Sequence, residues 1–254
     1  MRADRKPANG WGLVWPAPAK LNLCLLITGR RDDGFHRLQT AYQIVDLCDF
    51  VEFSELPDGH FSLSGDLRSI SPDEDLCMKA ARALYERCQP GVGAAITLQK
   101  NIPAGAGMGG GSSDAATTLL ALNYHWQTGL DREGLASIGL ELGADVPLFV
   151  LGQSAWGEEL GERLTPVEWP RRWFLIVNPG VRISTREIFS APELTRNSTP
   201  ITIRSFLKDS AGNDCESAVR ERYREVDDAL AWLSRFGRSR LTGTGACVFA
   251  EFER

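Results

Sequence analysis

The chain has 254 residues, of which 43% are hydrophobic and 24% charged, with a formal net charge of −5. That length builds a sizeable core in one large domain or two moderate ones, and its 25 glycines and 13 prolines are scattered, which excludes collagen-like and low-complexity classes. The acidic balance supplies no field for nucleic acid or an anionic membrane, so an anionic ligand needs a local pocket of backbone amides or a few basic side chains.

No segment reads as membrane-spanning. The early apolar run over 21–27 is interrupted by Asn22 and falls far short of the ~20 residues a spanning helix needs. Residues 1–14 carry charge with no apolar signal core behind them, which predicts a disordered leader and a cytosolic protein. The six cysteines (Cys24, Cys48, Cys77, Cys88, Cys215, Cys247) contain no CxxC, and the three histidines (His36, His60, His125) are well separated. Buried free thiols are expected, with no zinc site or disulfide framework.

In chain order, residues 21–28 read as a buried strand, and 40–47 and 50–53 as two more, separated by Asp49. Ser71-Pro72-Asp73 opens a helix with Cys77, Ala81, Leu84 and Cys88 on one face. Residues 94–99 form a short strand. A glycine-rich segment then runs into a helix striped by Ala115, Leu119, Leu122 and Trp126, with Ser112 or Ser113 capping its first turn. A further helix begins near Asp131 with Leu135, Ile138 and Leu142 inward. Gly143 ends it in a left-handed cap and Pro147 prevents it resuming, so Asp145 sits on a tight turn before an apolar strand over 148–151.

Composition loosens over 152–161, where a second set of elements begins. Residues 173–177 read as a strand, and 215–236 as one long helix with Val219, Tyr223, Val226, Leu230 and Leu233 on its inner face. Residues 246–252 read as a closing strand after the turn Thr242-Gly-Thr-Gly245. The expected architecture is α+β, in two domains (1–155 and 156–254) with an active-site cleft between them.

Five glycines between 105 and 111 cost backbone entropy, which a fold tolerates where the backbone must approach something closely. At a helix N-terminus, free amides and the helix dipole make an anion site, and a phosphate chain is its natural occupant. A P-loop is excluded, because no lysine occurs between Pro103 and Trp126. The dinucleotide pattern matches as Gly105-x-Gly107-x-x-Gly110, but a helix rather than a strand follows near Asp131, against a Rossmann unit.

The segment Pro-x-Gly-x-Gly-Met-Gly-Gly-Gly-Ser-Ser-Asp (103–114) resembles the phosphate loop of the GHMP kinases, and Pro18-Ala-Lys20-Leu-Asn22 and Thr242-Gly-Thr-Gly-Ala246 agree in order and spacing. Residues 17–23, Arg31-Asp-Asp-Gly-Phe-His36 and Gly143-Ala-Asp-Val-Pro147 are similar, more selectively, to the 4-diphosphocytidyl-2-C-methyl-D-erythritol kinase family. The similarity runs over about 15–252.

The resemblance implies a two-domain GHMP kinase fold, the N-terminal domain binding ATP and the C-terminal domain, which looks truncated at Arg254, binding substrate. It implies ATP and Mg²⁺ as cofactors, and phosphorylation of the 2-hydroxyl of the cytidine-diphosphate-linked methylerythritol in non-mevalonate isoprenoid synthesis. The backbone of Pro103, Ala104, Gly105, Ala106, Gly107, Met108, Gly109, Gly110, Gly111, Ser112 and Ser113 would wrap the phosphates. Ser113 is the one protein oxygen singled out for the metal ion.

Asp145 would be the general base, kept ionised by Lys20, while Asn22, two residues from Lys20 and so on the same strand face, would meet the erythritol or phosphate portion of the substrate. Phe35 and Phe189 would stack on cytosine while His36 hydrogen-bonds its edge, and Thr244 would complete the substrate site. Phe35 replaces the common Tyr, and Asp75 an Asn near the adenine pocket. The expected partner is this small molecule, not nucleic acid or a membrane, in a monomer or weak homodimer. Another GHMP kinase acting on a different small alcohol, or a non-catalytic nucleotide-binding module, are the alternatives.

Overall fold

The computed structural model describes residues 11–67, 71, 73–209 and 211–253. Among these, the elements follow in chain order as β1 (Val14–Arg30), β2 (His36–Leu56), β3 (Phe61–Gly65), α1 (Leu76–Cys88), β4 (Gly93–Gln99), α2 (Gly110–His125), α3 (Arg132–Leu142), α4 (Val146–Leu151), β5 (Ala155–Glu159), β6 (Arg163–Pro166), β7 (Trp173–Val177), α5 (Thr185–Ser190), α6 (Ile203–Lys208), α7 (Glu216–Arg222), α8 (Arg224–Leu233), β8 (Ser239–Leu241) and β9 (Val248–Phe252). The α+β class is as expected. The chain packs as two compact units that interleave along the sequence. The first takes the described parts of Met1–Ala19, Asp46–Ile102 and Gly110–Gly152; the second takes Lys20–Val45, Pro103–Gly109 and the described parts of Gln153–Arg254.

In the first unit, the later half of β2 pairs antiparallel with β4 from Phe50↔Gln99 to Leu56↔Gly93, and β3 pairs parallel with β4. Val51, Phe53, Ala94, Ile96 and Leu98 are buried, as are Ala81 and Leu84 of α1 and Leu119 and Leu122 of α2. Helix α2 is buried on nearly every face, through Ser113, Asp114, Ala115, Ala116, Thr117, Thr118, Leu119, Ala121 and Leu122. That is why small residues dominate its first half. Residues 1–10 of the expected leader lie outside the described residues, whereas Trp11 stacks on His125 at 4.3 Å and the Gly12 N–H donates to Phe53 O at 2.9 Å.

In the second unit, the first part of β2 pairs antiparallel with β5 from Leu38↔Glu159 to Tyr42↔Ala155, and β5 pairs antiparallel with β6. A second sheet runs β7-β9-β8, both pairings antiparallel. Against it Val219, Val226, Leu230 and Leu233 join Val248, Ala250, Leu25 and Ile27 in one apolar core.

Several local expectations are corrected. Asp49 does not divide two strands: β2 is continuous from His36 to Leu56, because the buried Asp49 carboxylate is satisfied from the side by Lys100 and by backbone amides. The opening of α1 moves from 71–73, of which Pro72 lies outside the described residues, to Leu76, and Asp75 caps it by accepting from Cys77 N at 2.8 Å. Helix α2 begins at Gly110, so Ser112 and Ser113 lie inside its first turn rather than before it.

Gly143 is not left-handed but extended, at φ 173° and ψ 147°, so α3 ends and the chain turns straight into α4. The segment over 148–151 is therefore helical, and Pro147 sits in the first turn of α4, where a missing N–H costs nothing. The expected helix over 215–236 is two helices, interrupted at Tyr223 (φ −127°, ψ 93°). A one-residue break leaves the apolar spacing intact, which is why periodicity alone did not reveal it.

Candidate active site

Strand β1 is buried at every position from Ala19 to Ile27, and this brings a lysine inside. Lys20 is only 4% exposed. Its Nζ donates to Asn22 Oδ1 at 2.6 Å and stands 5.6 Å from the centre of the Tyr42 ring. A buried ammonium needs such partners, because desolvation otherwise drives it neutral. Asn22 is held in turn. Its Nδ2 donates to Thr40 Oγ1 at 2.8 Å, Thr40 passes a hydrogen bond to Cys24 O at 2.7 Å, and the Asn22 N–H donates to Thr242 Oγ1 at 3.0 Å. The two side chains share a face as alternation requires, and the Asn22 amide accepts from Lys20 and donates one N–H to Thr40.

The glycine segment from Pro103 to Gly109 is seated beside them. Lys20 N donates to Met108 O at 3.0 Å and Cys247 N donates to Ala106 O at 3.2 Å. Met108 and Ala106 are buried, whereas Ala104 and Gly105 are exposed. Gly105, Gly107 and Gly109 all have positive φ. A β-carbon on Gly107 would stand 2.2 Å from Thr242 O, whereas one on Gly105 would meet nothing within 4 Å. The loop is thus anchored through alternate residues and open at Gly105. The turn 242–245 below it is clamped by Asn213, whose Nδ2 donates to Leu241 O at 2.9 Å and Gly243 O at 2.8 Å. Thr244 is 7% exposed and its Oγ1 shares a 3.0 Å hydrogen bond with Thr185 Oγ1.

In the first unit, Gly110 and Gly111 begin α2. Ser113 is fully buried, and its Oγ has no hydrogen-bond partner among the described residues. Ser112 faces the turn before α4: a β-carbon on Gly143 would lie 3.7 Å from Ser112 Oγ. Asp145 is half-buried at the start of α4. Asp114 reaches back to Lys100, which also pairs with Asp49. Asp49 Oδ1 accepts from Asn101 N at 2.5 Å and Ile102 N at 2.7 Å, just before the loop. Its Oδ2 would stand 3.3 Å from a β-carbon on Gly110, just after it. One ammonium thus serves two buried carboxylates. Burial holds the Asp114 carboxyl up at about 7 against the pull of Lys100. The two carboxylates raise the Lys100 ammonium despite its burial.

Among the substrate residues, His36 stacks on Phe189 with ring centres 5.3 Å apart and planes 24° apart, and Arg196 Nε donates to His36 Nε2 at 3.2 Å. Phe35 is 61% exposed; the ring against Phe189 is that of His36. Asp75 is the cap of α1 already described. Thr40, Tyr42, Asp49, Lys100 and Arg196 were missed from the sequence. Each is a single polar or aromatic residue without a motif, and only Thr242 was flagged, by its glycine-rich turn.

Among the described residues no group of three His, Cys, Asp or Glu is arranged to hold a metal ion, and no helix is long and apolar enough to cross a membrane. The orphaned hydroxyl of Ser113 fits an oxygen ligand to an ion carried on phosphates, because magnesium takes only one or two protein oxygens in such sites.

Residues 75–153 match the GHMP kinases N terminal domain and residues 192–254 the GHMP kinases C terminal domain. The chain is 57% identical over 244 residues to the 4-diphosphocytidyl-2-C-methyl-D-erythritol kinase of Alkalilimnicola ehrlichii, covering 96% of this chain and 84% of that protein. It is 52% identical over 241 residues to the same-named kinase of Nitrosococcus oceani, covering 95% and 86%. A crystal structure of 4-(cytidine 5'-diphospho)-2C-methyl-D-erythritol kinase superposes with a TM-score of 0.83 at 30% identity, covering 95% of this chain and 90% of that one. The mevalonate kinase of Methanococcus jannaschii, at 15% identity and a TM-score of 0.67, shares the fold.

Proposed function

The chain belongs to the 4-diphosphocytidyl-2-C-methyl-D-erythritol kinase family of the GHMP kinases, and from that premise we propose that it transfers the γ-phosphoryl group of ATP to the 2-hydroxyl of the cytidine-diphosphate-linked methylerythritol. The observation that carries the reading is the buried ammonium of Lys20, tied through Asn22 and Thr242 to the backbone of the glycine segment. Phosphoryl transfer asks chiefly for positioning and charge neutralisation, and a desolvated cation built into the base of an anion-binding loop supplies both.

In this reading the amides of Pro103–Gly109 and the N-terminus of α2 take the phosphates. Magnesium, when bound with the nucleotide, neutralises phosphate charge and is held on the protein side by Ser113. Asp145 accepts the proton that the attacking hydroxyl loses as its oxygen bonds to the γ-phosphorus and the bond to the ADP oxygen breaks. Lys20 favours the charged forms around that step. Asn22 is a positioning residue for Lys20, a role supported by the hydrogen bonds of its amide to Lys20 and Thr40. Thr244 and the ring set of Phe35, His36 and Phe189 receive the substrate. The matches over 75–153 and 192–254 support a domain boundary near residue 155, with Phe35 and His36 from before it joining Phe189 and Thr244 from after it in receiving the substrate.

The deciding experiment is ADP release from Mg-ATP with the cytidylyl substrate, against galactose, homoserine and mevalonate. Release with the cytidylyl substrate alone is expected. Release with one of the other alcohols instead would move the chain to a different GHMP substrate.

A further inference from the structure

Arg196 is a residue to which the proposed reaction gives no part. It is 160 positions from His36 in sequence, and its Nε donates to His36 Nε2 at 3.2 Å. The rest of the guanidinium is fixed on the last turn of α5 and the segment after it: Nη1 donates to Leu194 O at 3.0 Å, and Nη2 to Phe189 O at 3.2 Å and Ala191 O at 2.6 Å. One planar cation therefore holds both the histidine and the backbone of the phenylalanine on which that histidine stacks.

Arginine carries five donors and no acceptor, and it does not lose its proton in proteins. An imidazole nitrogen facing it within hydrogen-bond distance must offer a lone pair. We propose that Arg196 is the specificity-positioning residue of the pyrimidine site, locking His36 in the neutral form protonated on Nδ1 so that the ring presents an N–H donor to the base. Nδ1 has no intramolecular partner among the described residues, so its donor is available to a ligand. Burial, then the charges of Arg196 and Arg30, hold the ring below the usual histidine range, which agrees with a neutral imidazole.

The consequence is a choice between bases. Cytosine carries an acceptor at N3, where uracil carries N–H. A fixed Nδ1–H donor meets the first and opposes the second, and an unmatched polar group in a site discriminates more strongly than a missing contact. The phenylalanine face alone would stack either pyrimidine. This inference rests on the reading that the His36 and Phe189 pair receives the substrate base.

The test uses the full chain with ¹⁵N-labelled histidine, in which only three imidazoles contribute, His36 being identified by loss of its signals in His36→Gln. Long-range ¹H–¹⁵N correlation at pH 8 is expected to show His36 protonated on Nδ1, and Arg196→Met to return it to a mixture of tautomers. In the same variant KM for the cytidylyl substrate is expected to rise about tenfold with kcat and KM for ATP held. Preference over the uridylyl analogue should fall in proportion. A wild-type ring protonated on Nε2, or a tautomer unmoved by Arg196→Met, overturns the proposal. So does a variant in which kcat and both KM values worsen together, the mark of a merely structural arginine. If the wild-type ring is protonated on Nδ1 yet His36→Ala leaves KM for the cytidylyl substrate unchanged, the tautomer stands, while the base-recognition reading beneath it and the specificity role fall.

Discussion

A β-carbon added to Gly107 would stand 2.2 Å from the carbonyl oxygen of Thr242 and 2.9 Å from that of Gly245. The glycine segment and the later glycine-rich turn therefore meet backbone to backbone. Neither partner is a flexible side chain that swings away, and φ at Gly107 is +74°. Gly107→Ala is expected to destabilise the fold by about 3 kcal/mol or more, combining overpacking with left-handed strain, and to lose turnover with it. Gly105→Ala shares the positive φ but meets open space, so its cost stays at about 1–2 kcal/mol. Thermal unfolding of the two variants side by side separates close approach from conformational freedom; equal losses would refute the distinction.

Asp145→Asn preserves shape and removes the base. Turnover is expected to fall by about 10²- to 10⁴-fold, with the affinity for ATP, read by calorimetric titration, unchanged within about twofold. A variant that keeps its turnover would remove Asp145 from the proton transfer.

Lys20 and Asn22 are expected to act as a unit. Lys20→Met abolishes the buried cation and should lower kcat by at least about a hundredfold. Asn22→Ala keeps the cation but deletes the oxygen 2.6 Å from Nζ, a charge-assisted hydrogen bond worth roughly 1.5–3 kcal/mol, and should lower kcat by about tenfold. In the double variant the asparagine effect should vanish, since it has no ammonium left to position. Full additivity would separate the two roles.

Asp114 makes a pH prediction. Burial raises its carboxyl to about 7, above the roughly 3.9 of an unfolded chain. Between those values the folded state binds a proton that the unfolded state has released, so stability falls as pH rises from about 4 to about 7. Asp114→Asn removes that titration. Denaturant midpoints of the variant are expected to change less across this window than those of the parent chain. The variant should compare best against it at pH 8, where the parent carries two carboxylates on one lysine. A parent chain whose stability is flat or rising over the same range would contradict this placement of the proton.

Loop, turn and helix starts were legible where a local rule suffices. Asp131 caps α3 through Gly134 N at 2.8 Å, and the strand over 173–177 appears with the bounds its apolar run suggests. Failures share a cause. Asp49 read as a strand break because an isolated aspartate in an apolar run is usually solvated; its lysine lies 51 residues away. Gly143 read as a left-handed cap because glycine permits it, but the following helix α4 required an extended exit. Nothing local announced Thr40 and Thr242 as partners for the Asn22 amide and N–H.

By itself the sequence determined the α+β class, the glycine segment, its helix and its family, because periodicity, capping and backbone permissiveness act over a few residues. Only the tertiary structure decided which atoms those residues would spend on one another. It gave Lys20 to Asn22, Gly107 to Thr242 and His36 to Arg196, across separations of 2, 135 and 160 positions. Hydrogen bonds and close approaches are fixed by where the folded chain returns, and a buried polar group takes whatever partner that return delivers.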